Sequence, residues 1–153
     1  MLKVLKVLLV AAMPISELRG AIPLAIYFGY SPVKAYIISL VGNVIPIPFL
    51  LLSLYKIREL AGKYTFTSKI INAFEKRALK NKKLIEKYGY LGLTVFVAVP
   101  LPITGAWTAC LLSTLLELKP EKAFAYIFVG VAIAGLIVLS SVLGVLSLSA
   151  FLP

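Results

Sequence analysis

The sequence predicts an all-α, polytopic membrane protein: two inverted repeats, each a re-entrant helical hairpin plus a transmembrane helix, joined by a basic amphipathic segment. Three observations carry this reading. Hydrophobic residues make up 61% of the 153 positions, with a mean hydropathy of +1.00, well above the usual share in soluble domains. Residues 36–55, 89–116 and 123–150 carry no charge, and runs of about 20 apolar residues are long enough to cross a hydrocarbon core. The first and third apolar blocks are interrupted by proline and glycine, whereas the second and fourth end or begin at basic residues.

Composition removes several chemistries. The chain has no His, Asp or Gln, and Cys110 is its one cysteine. Metal sites and Ser-His-Asp machinery therefore lack their donors. No intrachain disulfide is possible, and a lone thiol on an apolar segment reads as a small core residue. Neither an enzyme nor a cofactor is expected. The acidic groups are all Glu: 17, 59, 75, 86, 117 and 121. No small-residue cleavage site precedes a polar region near the start, so a cleaved signal peptide is not expected.

Taken in order, 7–30 is read as the first re-entrant hairpin, punctuated by Pro14, Gly20 and Pro23. Residues 33–55 form the first transmembrane helix, where Asn43, Pro46 and Pro48 predict a kink or, as the alternative, line a cavity shared with the hairpins. The 56–88 segment holds ten of the sixteen Lys/Arg against three Glu, and Ile57, Leu60, Ala61 and Tyr64, then Ile70, Ile71, Phe74 and Ala78, recur at helical spacing. Such a basic amphipathic helix lies in the headgroup plane and prefers anionic lipid. Its apolar stripes fit a membrane better than a nucleic acid. Positive charge faces the cytoplasm, which puts 56–88, Lys119 and Lys122 inside. The 33–55 helix then runs inward, and 120–150 runs outward. Residues 89–118 must begin and end on one side, so they go in and come back. Pro100, Pro102 and Gly105 at their middle remove two donors and free a turn. Backbone broken in this way at membrane depth is tolerated where it is buried in protein or lines a cavity.

An internal repeat agrees. Pro32, Lys34, Ala35, Tyr36 and Gly42 reappear 88 positions later as Pro120, Lys122, Ala123, Phe124 and Gly130. Gly20-Ala21 and Gly105-Ala106 lie upstream of the two copies. Opposite orientation of the copies is the architecture of secondary transporters, whose sites sit where broken helices meet at mid-membrane.

Glu17 and Arg19 are the only charges between Lys6 and Lys34. Ionisable groups inside a membrane are costly, and default to function. Withdrawal from water favours a protonated carboxylate and a nearby cation opposes this, so Glu17 is the candidate proton carrier. Arg19 is the candidate anion ligand, since its fork matches phosphate or carboxylate. Thr104, Trp107 and Thr108 add hydroxyls and an indole donor. A half-helix starting near Thr104 would favour an anion at its N-terminus.

Ser16-Glu-Leu-Arg-Gly-Ala-Ile-Pro23 and Pro100-Leu-Pro-Ile-Thr-Gly-Ala-Trp-Thr108 resemble the paired signatures of the putative small multidrug export protein family, itself distantly similar to the DedA/VTT superfamily. The resemblance covers nearly the whole chain. It implies two facing re-entrant hairpins and a role in moving lipids, polyprenyl-phosphate carriers in the DedA branch, with Glu17 at the acidic position of the first hairpin. The arginines of the DedA second hairpin are missing from 95–100, and Thr104 stands where another is expected. The reading is thus a transporter or lipid flippase of the cell membrane, with a small cationic-drug exporter and a non-transporting scaffold as alternatives. Partners are membrane lipids, with anionic headgroups at 56–88. Two full spans make a thin wall around any cavity, so a homodimer is expected. Gly130, Ala134, Ser140 and Gly144 offer a surface of small residues for close helix packing.

Overall fold

The computed structural model describes residues 1–61, 87–100 and 104–149. Most of the basic 56–88 segment and Pro102 lie outside these. The described residues form helices and connecting turns, with no strand among them. In chain order the helices are α1 (Leu2–Ala12), α2 (Glu17–Tyr27), α3 (Pro32–Val44), α4 (Pro46–Ala61), α5 (Tyr90–Ala98), α6 (Ala106–Leu115) and α7 (Pro120–Ser149).

Two stretches are long and apolar enough to cross a membrane, Pro32–Ile57 and Pro120–Leu148. Only 28% of the most apolar window of each is buried within the chain, unlike the core helix of a soluble protein. Their outward faces stay apolar as well, with Ile37, Val41, Phe49, Leu136 and Leu146 exposed. Helices apolar on every side need a surrounding that is itself apolar. Ile45 keeps helical angles between α3 and α4, so the two continue one another. The expected interruption reduces to Pro46, which cannot donate a backbone hydrogen bond.

Each apolar helix packs against a shorter one through a glycine. A Cβ added at Gly42 would lie 2.8 Å from the Leu8 carbonyl oxygen and 2.8 Å from the Ala11 Cβ. One added at Gly130 would meet the Thr94 carbonyl oxygen at 2.8 Å and the Val97 Cβ at 2.7 Å. Absence of a side chain brings α3 onto α1 and α7 onto α5 at backbone distance. Thr94 Oγ1 ties the second crossing by donating to the Tyr126 carbonyl (2.8 Å), and Tyr36 Oη joins the two long helices by donating to that of Ala132 (3.0 Å). The main core, with Ile22, Ile47, Leu51, Leu93, Leu112 and Ile127, lies between α2, α4, α5, α6 and α7. Val7, Ala11, Ala21, Ala25 and Ala35 close a smaller one between α1, α2 and α3.

The corners entering the two apolar helices are built alike. At the end of α2 the amides of Gly29 and Tyr30 bond back to Ile26 and Ala25; at the end of α6 those of Glu117 and Leu118 bond back to Thr114 and Ser113. Both are Schellman closures, every atom pair displaced by 88 positions. Gly29 (φ 87°) and Glu117 (φ 55°) both take the left-handed conformation that such a closure needs.

Three expectations are corrected here. Gly20 and Pro23 lie inside α2, not at a hairpin break. Gly20 has no room for a side chain, an added Cβ falling 2.8 Å from that of Ser16 at the start of its own helix and 3.3 Å from Val10 Cγ1 on α1. Pro23 costs the helix only the bond to the Arg19 carbonyl four residues earlier. The break itself is 13–16, with Pro14 in it, and the described residues of its counterpart are Val99, Pro100, Thr104 and Gly105. Gly105 caps α6, so the two Gly-Ala pairs occupy different places. Thirdly, Gly130 is spent against α5, within the chain.

Gly42→Val and Gly130→Val should each cost about 1–3 kcal/mol through overpacking, visible as a lower unfolding midpoint in detergent. Gly144→Val is the control, since nothing lies within 4 Å of a Cβ there. Equal midpoints for all three would refute the backbone-contact account.

Candidate functional site

The first break, 13–16, faces the described residues of the second, Val99, Pro100, Thr104 and Gly105, and each is closed by side chains from the other half. A helix start leaves backbone N–H groups without partners. At the start of α6, the Glu17 carboxylate accepts hydrogen bonds from the amides of Ala106 and Trp107. The approach is so close that a Cβ on Gly105 would fall 2.6 Å from the Glu17 carboxyl carbon. Arg19 sits within electrostatic reach of Glu17, and its guanidinium donates to the Thr104 carbonyl. In the opposite direction, the Trp107 indole Nε1 donates to the Ala12 carbonyl at 3.2 Å, at the end of α1.

Each break also holds itself. Ser16 Oγ donates to the Val10 carbonyl, and Thr104 Oγ1 donates to the Val99 carbonyl, both at 2.6 Å. Ser16 and Thr104 are again 88 positions apart. Glu17 adopts φ 44°, a left-handed conformation that a residue with a Cβ takes at a cost of about 1–3 kcal/mol. A side chain at this first position of α2 would otherwise leave along the helix; the strained backbone accompanies its aim across to α6. A carboxylate at a helix N-terminus is favourable by about 0.3–1 kcal/mol at the surface, and by up to about 2 when partly buried.

Beside this junction lies a narrow recess of ≈ 10 Å³, room for about one water molecule, whose lining has Glu17, Arg19 and Asn43 as its polar residues. Val97, Pro100, Val131 and Ala134 make part of its apolar wall. Asn43 falls near the middle of the Pro32–Ile57 helix, and Ala134 near the middle of Pro120–Leu148. Three charged or polar groups thus gather at mid-length of both long helices.

Of the residues singled out in sequence, Glu17, Arg19, Thr104 and Trp107 come together here. Thr108 is half-buried inside α6 and joins none of these contacts. The anion expected at the α6 N-terminus is present, and it is the chain's own Glu17. Asn43, which the sequence offers either to a kink or to the lining of the same cavity, lines the recess with Glu17 and Arg19. Its sequence signal was its standing as the one amide side chain in the uncharged run 36–55. Among the described residues no group of three or more His, Cys, Asp or Glu could hold a metal ion.

Gly105→Ala should displace Glu17 from α6 at a cost of about 1–3 kcal/mol in unfolding free energy. The same substitution in a Glu17→Ala background should cost far less, because the clashing group is gone. Equal costs in the two backgrounds would show that the contact does not exist.

The family model described as putative small multi-drug export protein matches residues 17–137, from Glu17 at the start of α2 to the middle of α7. No curated protein and no solved structure matches the chain.

Proposed function

Because the chain belongs to the putative small multi-drug export protein family, we propose that it is a multi-pass transporter of the cell membrane, moving an anionic lipid or other amphiphile with a proton on Glu17. The observation that carries this reading is the meeting of Glu17 and Arg19 with the opposite helix break beside a recess at mid-length of both long helices. Charge placed so deep is costly unless used. In its deprotonated form Glu17 caps α6; a proton weakens that cap and frees the two halves to part. Arg19 is then left to hold an anionic headgroup. No enzymatic step is needed for such a cycle.

In the same reading, α1–α2 and α5–α6 are re-entrant hairpins, and the halves are inverted repeats. Support comes from features recurring 88 positions apart: the Gly42 and Gly130 crossings, the closures at Gly29 and Glu117, and the hydroxyls of Ser16 and Thr104. The basic 56–88 segment is cytoplasmic and binds anionic headgroups, and a homodimer supplies the rest of the wall. The DedA-like flippase mechanism is one form of this cycle.

A cationic-drug exporter is the second reading, favoured by the family's description and by a carboxylate in the recess. There Glu17 binds drug and proton alternately.

In proteoliposomes, Glu17→Gln should abolish amphiphile movement driven by a pH gradient while leaving the protein folded. Undiminished movement would rule out proton coupling through this group. Resistance to cationic drugs that survives Glu17→Ala in cells would eliminate the second reading.

A further inference from the structure

Asn43 is 2% exposed, lines the recess with Glu17 and Arg19, and has no hydrogen-bond partner for either its Nδ2 or its Oδ1. A buried amide left unpaired is among the more expensive features a core can carry. Packing does not require it. The position 88 residues later is Val131, which lines the same recess. A β-branched apolar side chain therefore serves the equivalent place in the other half, and the amide is an addition beyond what packing needs.

The balance of donors in the recess identifies what would satisfy it. The Glu17 carboxylate is already engaged by the amides of Ala106 and Trp107. Arg19 spends one N–H on the Thr104 carbonyl, and a guanidinium has five. The Asn43 NH₂ adds two more. Glu17 offsets the charge of Arg19 and occupies the positive end of α6, and Asn43 Oδ1 is one further acceptor, so the recess is an ion pair with N–H groups in excess. A group bearing several acceptor oxygens uses more of that set than an ammonium would.

We propose that Asn43 is a specificity-determining ligand of the transported group, its NH₂ donating to an oxyanion oxygen that Arg19 holds from another side. This rests on the reading of the recess as a transport site for an anion, and adds to it the residue that distinguishes an oxyanion from a cation. The ligand chemistry is a phosphate or similar oxyanion, carried on a lipid or free in solution.

Trp107 is the sole tryptophan and its backbone amide contacts Glu17, so its fluorescence reports binding in purified protein without a transport assay. The probes are a short-chain phosphatidic acid, inorganic phosphate and a quaternary ammonium amphiphile. The wild type should give a saturable response to phosphatidic acid. A response to inorganic phosphate as well would show that the free ion suffices, and its lack would mark the lipid headgroup as the ligand.

Asn43→Leu should weaken phosphate binding about tenfold or more, the usual scale for a hydrogen bond to a charged group, with an unfolding midpoint equal to or above that of the wild type. Loss of function with gain of stability separates a ligand from a structural residue. Asn43→Asp is the second variant, close in shape, and should abolish phosphate binding by charge. Wild-type affinity in either variant, while Arg19→Gln loses binding, would overturn the role of Asn43 and leave the anion reading standing. A wild type that responds to the ammonium probe and to neither phosphate would overturn both.

Discussion

The arrangement depends on one constraint: two helices end and restart within the packed chain, and their ends need partners. A helix end exposes unpaired N–H or C=O groups, and in an apolar surrounding each is costly. Here the chain answers reciprocally. Glu17 from the first half caps the start of α6, and Arg19 takes the carbonyl of Thr104 just before it. Trp107 from the second half takes the carbonyl at the end of α1. Neither break is complete without the other, so association of the halves and the geometry of the recess are one event.

This reciprocity explains why a carboxylate and a guanidinium lie two residues apart in an otherwise apolar helix. In a regular helix such neighbours point to different faces. The left-handed angle at Glu17 sets the carboxylate apart from that geometry, so that both groups address the same opposing loop. The strain belongs to the junction, where function concentrates, and is absorbed by packing elsewhere.

The all-helical class, the two long apolar helices and the family were legible in the sequence, because each is written in composition, periodicity or a local motif. Uncharged runs bounded by Lys122 or Lys56 need no three-dimensional information. Glu17 and Arg19 stood out by the cost of charge in such surroundings. What could not be read was partnership. Nothing local says that Glu17 caps a helix 89 residues away, or that Trp107 reaches Ala12. Gly20 and Pro23 misled because both residues usually mark breaks, whereas α2 tolerates them for reasons of close approach and a single lost bond. Asn43 was visible as a polar interruption that either kinks the helix or lines a cavity, and only its neighbours decide for the lining.

The two Schellman corners have a mechanical consequence. Each fastens a short helix to the long one that follows through paired amide bonds and a left-handed residue, and such elbows bend poorly. With α2–α3 and α6–α7 each behaving as a stiff bracket, rearrangement falls to 13–16 and to Val99, Pro100, Thr104 and Gly105, next to the gripping side chains of Glu17, Arg19 and Trp107. Joint and recess then share their residues, and one cannot shift without reshaping the other.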